Sequence, residues 1–171
     1  MSRSPLGLAS SSLPDSVDGL LDSGYRYAVA LTHDRGEAED LIQDACLAIL
    51  ASGAPWERPY LFATIRNRFI DRYRRNRKVL FVALEDGDGG ETEPVELDWP
   101  APDVIEAGRL ERALGALRAE EREALFLAVV EGYTAEEIGR MTSRPRGTIL
   151  SLLHRTKRKL RDLLGGERGE R

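Results

Sequence analysis

Between Val79 and Pro102 the helical periodicity that runs through the rest of the chain stops. Gly87, Gly89, Gly90, Pro94, Pro100 and Pro102 interrupt it, with acidic residues between them. Glycine and proline at this density end regular structure, so the stretch reads as a linker. It divides the 171 residues into two halves. The expected organisation is all-α: a disordered tail over 1–15, a helical unit over 16–78, an acidic flexible linker over 79–103, a second helical unit over 104–164 and a tail over 165–171.

The same division is written in charge. The formal net charge is only −4, but it is segregated. From Arg58 to Lys78 there are eight basic residues against one acid, Asp71. From Glu85 to Glu106 there are nine acids and no base, and from Arg144 to Arg161 seven basic residues and no acid. A single charged run is ordinarily a solvated helix face. Two cationic blocks in one short chain point to a polyanionic partner.

In the first half, Val17, Leu20, Leu21, Ala28 and Leu31 give a helix over about 16–31. Asp34, with Glu37 three residues on, has the form of a capping box. The helix it opens carries an apolar stripe of Ala38, Leu41, Ile42, Ala45, Ile49 and Leu50. Its other face holds Glu39, Asp40, Gln43 and Asp44, either solvated surface or a docking patch for a basic protein. After Ser52-Gly53-Ala54-Pro55 a third helix runs from Pro55 or Trp56 to Lys78. It interleaves Trp56, Tyr60, Phe62, Phe69 and Tyr73 with arginines, the combination that stacks unpaired bases and neutralises phosphates. Phe62, Phe69 and Tyr73 fit a core; Trp56 and Tyr60, at the helix start, fit an exposed role. Three such helices enclose a core of marginal size, which is expected to pack on something else.

In the second half, Leu110, Leu114 and Leu117 mark one helix, and the nearly apolar run Glu120–Val130 reads as buried. Thr134 to Glu137 is a capping box opening a short helix through Met141. A turn at Thr142-Ser143 leads to Pro145 in the first turn of a long basic helix ending near Leu164. Short capped helix, tight turn and basic helix form a helix-turn-helix, whose second helix fits a DNA major groove. Ile149, Leu153, Thr156, Leu160 and Leu163 form the expected inward stripe. Arg144, Arg146, Thr148, Ser151 and Arg155 lie on or near the outward face, suited to base edges. Lys157, Arg158, Lys159 and Arg161 suit phosphates, and His154 suits a phosphate or base neighbour.

Other classes find no support in the residues. The histidines, His33 and His154, are in different halves, and there is no phosphate loop, zinc motif or serine elbow. Asp86 and Asp88 have a calcium-loop offset, but Gly90 and Leu97 stand where ligands are needed. Cys46, the single cysteine, reads as buried filler. No run reaches the roughly 18 apolar residues of a membrane span, and the first residues lack a signal peptide's apolar core. The expectation is a cytoplasmic protein with no membrane insertion that is not an enzyme and needs no metal or cofactor.

Four segments resemble motifs of bacterial extracytoplasmic-function sigma factors of RNA polymerase: Glu37 to Asp44, Ile65 to Arg75, Gly132 to Gly139, and Arg146-Gly147-Thr148-Ile149 with Leu153-His154-Arg155. The resemblance implies a region 2 that binds the polymerase β′ coiled coil and melts the minus-ten element. It also implies a region 4 on the β flap that places its helix-turn-helix on the minus-thirty-five element. Carried onto this sequence, Glu39, Asp40, Gln43 and Asp44 would face the polymerase. Trp56, Tyr60, Arg66, Asn67, Arg72, Arg74 and Arg75 would meet minus-ten DNA. Arg144, Arg146, Thr148, Ser151, His154, Arg155, Lys157 and Arg158 would meet minus-thirty-five DNA. The acidic linker would run through cationic channels of the polymerase, and an anti-sigma factor is a further partner that the family implies.

The chain departs from the family's pattern in a shorter stretch from Gln43 to Tyr60, without the usual Phe-Arg-Gly segment before the helix. Tyr60 replaces a usual Trp, and Leu150 and Leu152 stand where Lys and Arg are common, as exposed leucines suited to a protein contact. The competing readings are a free-standing helix-turn-helix regulator, which has no use for the Glu37–Asp44 motif, and a helical adaptor between proteins.

Overall fold

The computed structural model describes residues 16–76 and 107–165, and all its regular elements are helices. The tail over 1–15, the linker over 79–103 and all but the first residue of the tail over 165–171 lie outside the described residues. Helix α1 spans Val17–Thr32, α2 Arg35–Ser52 and α3 Arg58–Asn76. In the second half α4 spans Ala107–Gly115, and α5 spans Ala119–Leu125 and widens into a π turn over Phe126–Val130. Helices α6, Ala135–Thr142, and α7, Arg146–Gly165, follow.

The ends are set by local chemistry. Asp34 accepts the Glu37 amide at 2.8 Å and starts α2, as expected from its position. Gly53, in the left-handed conformation at φ 64°, stops it. At α6 the capping box is reciprocal. Thr134 Oγ1 accepts from the Glu137 amide at 3.3 Å, and the Glu137 carboxylate accepts from the Thr134 amide at 2.8 Å.

Helices α1, α2 and α3 pack on one another, and α5 lies across α1 while also touching α7. The two halves therefore share one core. Tyr27 of α1 stacks on Phe62 of α3 with ring centroids 4.5 Å apart, and Phe126 of the π turn closes the group at 5.8 and 6.4 Å. Leu20, Leu41, Ile49, Leu61 and Ile65 from the first half join Leu127, Ile138, Ile149 and Leu152 from the second. A smaller cluster of Ala113, Leu117 and Leu160 ties α4 to α7. The first unit's small core thus has its partner in the second unit.

Six residues are placed differently from the sequence expectation. Leu50 was assigned to the stripe of α2 but is 64% exposed, and Leu163, assigned inward on α7, is also exposed. Leu152, expected to face outward, is buried against the core, and Leu150 is half-buried. Val129 and Val130 end the run expected to be buried, yet both are exposed. Val129 and Val130 are turned out by the π turn itself, and for the four leucines the reason is common. Periodicity fixes a stripe, but residues at its margin are placed by whichever neighbour packs there.

Phe62 is completely buried at the centre of the shared group. Phe62→Ala is expected to lower stability by about 3–5 kcal/mol, read as an earlier midpoint in urea denaturation followed by circular dichroism.

Candidate nucleic-acid interface

The acidic face of α2 is open. Glu39, Asp40, Gln43 and Asp44 are all exposed, one helical turn apart in overlapping pairs. Leu47 continues the same face, and Leu50 lies a further turn along; both are exposed. The face is therefore acidic at its start and apolar at its end. The apolar end was not singled out from the sequence, although the spacing Asp40, Asp44, Leu47 carries the signal. Cys46, half-buried beside it, has its thiol pushed up by burial.

On α3 and the turn before it, Trp56, Tyr60, Asn67, Arg74 and Arg75 are exposed. Arg72 is half-exposed and pairs with Asp44 of α2. Arg66 differs: its side chain is 17% exposed, and its Nε donates to Glu123 Oε1 of α5 at 2.9 Å. Arg58, at the start of α3, donates from Nη1 to Glu131 Oε2 at 2.6 Å. The aromatic and distal basic residues of the candidate set thus reach solvent together, while Arg66 is turned into the contact between the halves.

The contact holds three charged anchors that the sequence reading did not single out. Glu123 accepts from Arg66 and, at 2.6 Å, from the Tyr27 hydroxyl. Glu131 accepts from Arg58 and, at 2.9 Å, from Ser23 Oγ. Arg122 donates from Nε to Ala30 O at 2.8 Å and from Nη2 to Leu31 O at 3.0 Å, on the last turn of α1. A cation is favoured there by the helix dipole. Burial, then the adjacent Glu123 carboxylate, pushes the Tyr27 hydroxyl well above its ordinary value, so it stays a donor. Burial lowers the Arg122 guanidinium from its ordinary value. The one available signal was Glu123 itself, the last acid before the apolar run Ala124, Leu125, Phe126 and Leu127.

Helices α6 and α7 pack as the second half's motif requires. Ser143 turns the chain at φ 56°. Gly139 allows the turn to approach, because a Cβ there would lie 2.6 Å from the Arg144 carbonyl oxygen. Arg146, His154, Arg155 and Arg158 are exposed, and Arg144, Thr148, Ser151 and Lys157 are half-buried. Thr148, Ser151, Arg155 and Arg158 follow helical spacing and form one polar, cationic stripe. Nearby, Lys159 Nζ pairs with Glu121 Oε2 at 3.2 Å. Among the described residues no group of three His, Cys, Asp or Glu side chains is placed to hold a metal ion. No described helix is long and apolar enough to cross a membrane.

The chain matches two family models in order: Sigma-70 region 2 over residues 19–79 and Sigma-70, region 4 over residues 107–160. It is 30% identical over 145 residues to the ECF RNA polymerase sigma factor SigL of Mycobacterium tuberculosis, covering 80% of each chain. It is 31% identical over 154 residues to the ECF RNA polymerase sigma factor SigE of Mycolicibacterium smegmatis, covering 87% of this chain and 60% of that protein. Over 158 residues it is 28% identical to the ECF RNA polymerase sigma factor EcfG of Rhodopseudomonas palustris, covering 90% and 85%. Among solved structures it is similar to the sigma factor RpoE of Bartonella quintana, determined in complex with the anti-sigma factor NepR. That similarity has a TM-score of 0.64 at 26% identity and covers 87% of this chain and 94% of that one.

The cap of α6 carries a pH dependence. The Thr134 amide, then its hydroxyl, holds the Glu137 carboxyl below its ordinary value. A depressed folded value means that the cap's stability is present above the unfolded carboxylate value of about 4.3 and is lost as pH falls through the folded one. Thr134→Ala is expected to cost about 0.5–2 kcal/mol at neutral pH. Glu137→Gln, which removes the charge and keeps the acceptor, should lower the midpoint at neutral pH, and its midpoint and the parent's should converge as the solution is acidified below that range.

Proposed function

This chain belongs to the extracytoplasmic-function family of RNA polymerase sigma factors, which direct the polymerase to promoters, and from that premise we propose a division of labour among its faces. The acidic face of α2, with Glu39, Asp40, Gln43 and Asp44, docks on the core polymerase at a basic partner surface. Leu47 and Leu50 extend it as an apolar flank. Apolar and charged complementarity of this kind sets both affinity and register.

Trp56 and Tyr60 stack on unpaired bases of the minus-ten element, with Asn67, Arg66, Arg72, Arg74 and Arg75 on its edges and phosphates. No bond of the DNA is made or broken. The chain contributes binding energy that favours the melted form over the duplex. Helix α7 and the turn before it read the minus-thirty-five element through Arg144, Arg146, Thr148 and Ser151, with His154, Arg155, Lys157 and Arg158 along the backbone. The observation that carries this reading is the order of the two family matches on two halves whose exposed faces are, in turn, acidic, aromatic-basic and basic. The free-standing regulator is not favoured, because it gives the acidic face of α2 no partner. The Bartonella quintana structure holds an anti-sigma factor, and we extend that class of partner to this chain.

Transcription in vitro with purified core polymerase, followed by promoter footprinting, tests the reading. Added chain should create start-site selectivity, and core polymerase that gains none would overturn it. The double variant Asp40→Ala, Gln43→Ala is expected to weaken core binding about tenfold, or ~1.4 kcal/mol, with an unchanged circular dichroism spectrum. Arg146→Ala should cost about 1–3 kcal/mol on the preferred upstream sequence and less on others. Equal loss on every sequence would mark a phosphate contact.

A further inference from the structure

Beyond its first turns, α7 faces the start of α5 across a cleft. Arg155, Arg158, Lys159 and Asp162 follow the spacing i, i+3, i+4 and i+7, so they share one side of the helix. That side meets α5 where Lys159 Nζ pairs with Glu121 Oε2 at 3.2 Å. Between the two helices lies a cavity of about 490 Å³, lined by these four side chains together with Glu121 and Leu163. Its volume falls within the range of small-molecule sites. Arg155 stands nine residues beyond Arg146 and Leu163 seventeen. At 1.5 Å per residue the cavity is therefore roughly 14–26 Å along α7 from the turn that a helix-turn-helix uses to read bases.

The lining offers both signs of charge. Among the described residues the side chains of Arg158 and Asp162 make no hydrogen bond or ion pair, although they stand four residues apart. Arg155 makes one long bond within its own helix, from Nε to Ser151 O at 3.4 Å. Two guanidinium groups thus keep donors to spare, each a planar fork suited to phosphate oxygens. Glu121 is held in place: its side chain is 14% exposed, and its Oε2 also accepts from the Arg118 amide at 2.8 Å. A nucleic-acid backbone lying there would bring its phosphates against the carboxylates of Glu121 and Asp162. A small ligand with phosphate at one end and hydroxyl donors at the other satisfies cations and acids together. Leu163, exposed at the rim, and the arginine stems give such a ligand an apolar wall.

We propose that the cavity between α5 and α7 binds a nucleoside diphosphate, with its phosphates on Arg155 and Arg158, its ribose hydroxyls on Asp162 and its base against Leu163. The site itself does not depend on the functional reading above. Its consequence for DNA rests on that reading, which places the same two arginines along the minus-thirty-five backbone. Nucleotide and upstream DNA then compete, and each lowers the affinity for the other by the same factor.

The full chain tests the site by calorimetric titration with neither DNA nor polymerase present. The probes are adenosine diphosphate and guanosine diphosphate, with inorganic pyrophosphate and the two nucleosides as their separate halves. At least one diphosphate should bind one-to-one, about tenfold or more tighter than pyrophosphate and than its own nucleoside. Arg158→Gln should weaken nucleotide and pyrophosphate alike by about tenfold, the loss of one charge-assisted pair. Leu163→Ser should weaken the nucleotide about fivefold and leave pyrophosphate unchanged. Asp162→Ala should lower the ratio of nucleotide to pyrophosphate affinity about fivefold, because it removes the acceptor for the ribose and a repulsion from the anion. Arg112→Gln, at an exposed cation of α4 outside the cavity, removes the same charge as Arg158→Gln and should leave every affinity as it was.

Arg158, Asp162, Leu163 and Arg112 are all exposed, so the variants should keep the parent's circular dichroism spectrum. The absence of saturable binding by either diphosphate would overturn the proposal. So would pyrophosphate that binds as tightly as the nucleotide, or equal losses in Arg158→Gln and Arg112→Gln, which mark a response to net charge alone. DNA is the other source of phosphate, and a 20-base-pair duplex is the second arm. Leu163→Ser should leave duplex binding unchanged. A duplex weakened as much as the nucleotide would mean that the cavity takes the DNA backbone instead. Transcription with core polymerase reports on the sigma-factor reading separately, and the nucleotide site stands or falls whichever way that assay ends.

Discussion

The structure depends on the three rings of Tyr27, Phe62 and Phe126, because they join two units that are each too small to bury much by themselves. Units of about 60 residues hide only around 60% of the surface their unfolded chains expose. Here α1 and α3 supply two rings and the π turn supplies the third, so completing either core requires the other half. The charged groups around the rings have a different role. Buried ion pairs recover little beyond the cost of removing two charges from water. Glu123 and Glu131 therefore contribute register more than strength. They admit one placement of α5 against α1 and α3, the placement that satisfies Arg58, Arg66, Tyr27 and Ser23 together.

The formal charge of −4 gives no hint of this economy. The folded chain sorts its charges into three kinds of place. Acids on α2 and cations on α7 are held out to solvent, where they are screened and available to partners. Arg72 and Asp44 pair across α2 and α3 at half-exposed positions. A pair of that kind adds little to stability and orients both side chains. Arg58 and Arg66 are drawn inside, where their attraction to the carboxylates is strong and their access to an outside anion is limited. One basic helix thus carries arginines in two environments, those packed against the other half and those held out to solvent.

Much of the local structure was legible because its causes are local. Asp34 and Thr134 are placed to accept amides three residues on, Gly53 and Ser143 occupy left-handed turns, and the stripes of α1 and α2 repeat at helical spacing. The helix-turn-helix was legible for the same reason. What was not legible is what depends on partners distant in sequence. Arg66 was read as a DNA contact from its neighbours on α3. Its partner, Glu123, lies 57 residues away on α5, buried at a position that no periodic pattern marks. Leu50 and Leu152 changed places with expectation because each sits at the edge of a stripe, where the adjoining unit and not the helix decides burial.

The π turn shows what such a conflict between levels costs and supports. An ordinary α-helix through Phe126–Val130 would keep a continuous apolar face, as the sequence suggests. The wider turn leaves Val129 and Val130 in solvent, and an inserted turn of this kind is rare in regular helices. In return Leu127 is completely buried and Glu131 faces Arg58 and Ser23. Two exposed valines give up a few kcal/mol of burial at most. Without the extra residue, Glu131 would lie off the shared face and leave the Arg58 guanidinium in the contact without its carboxylate. Places where a sequence breaks its own local rule are where a structure serves something other than stability. Here that place is the seam between the half that would open the promoter and the half that would read it.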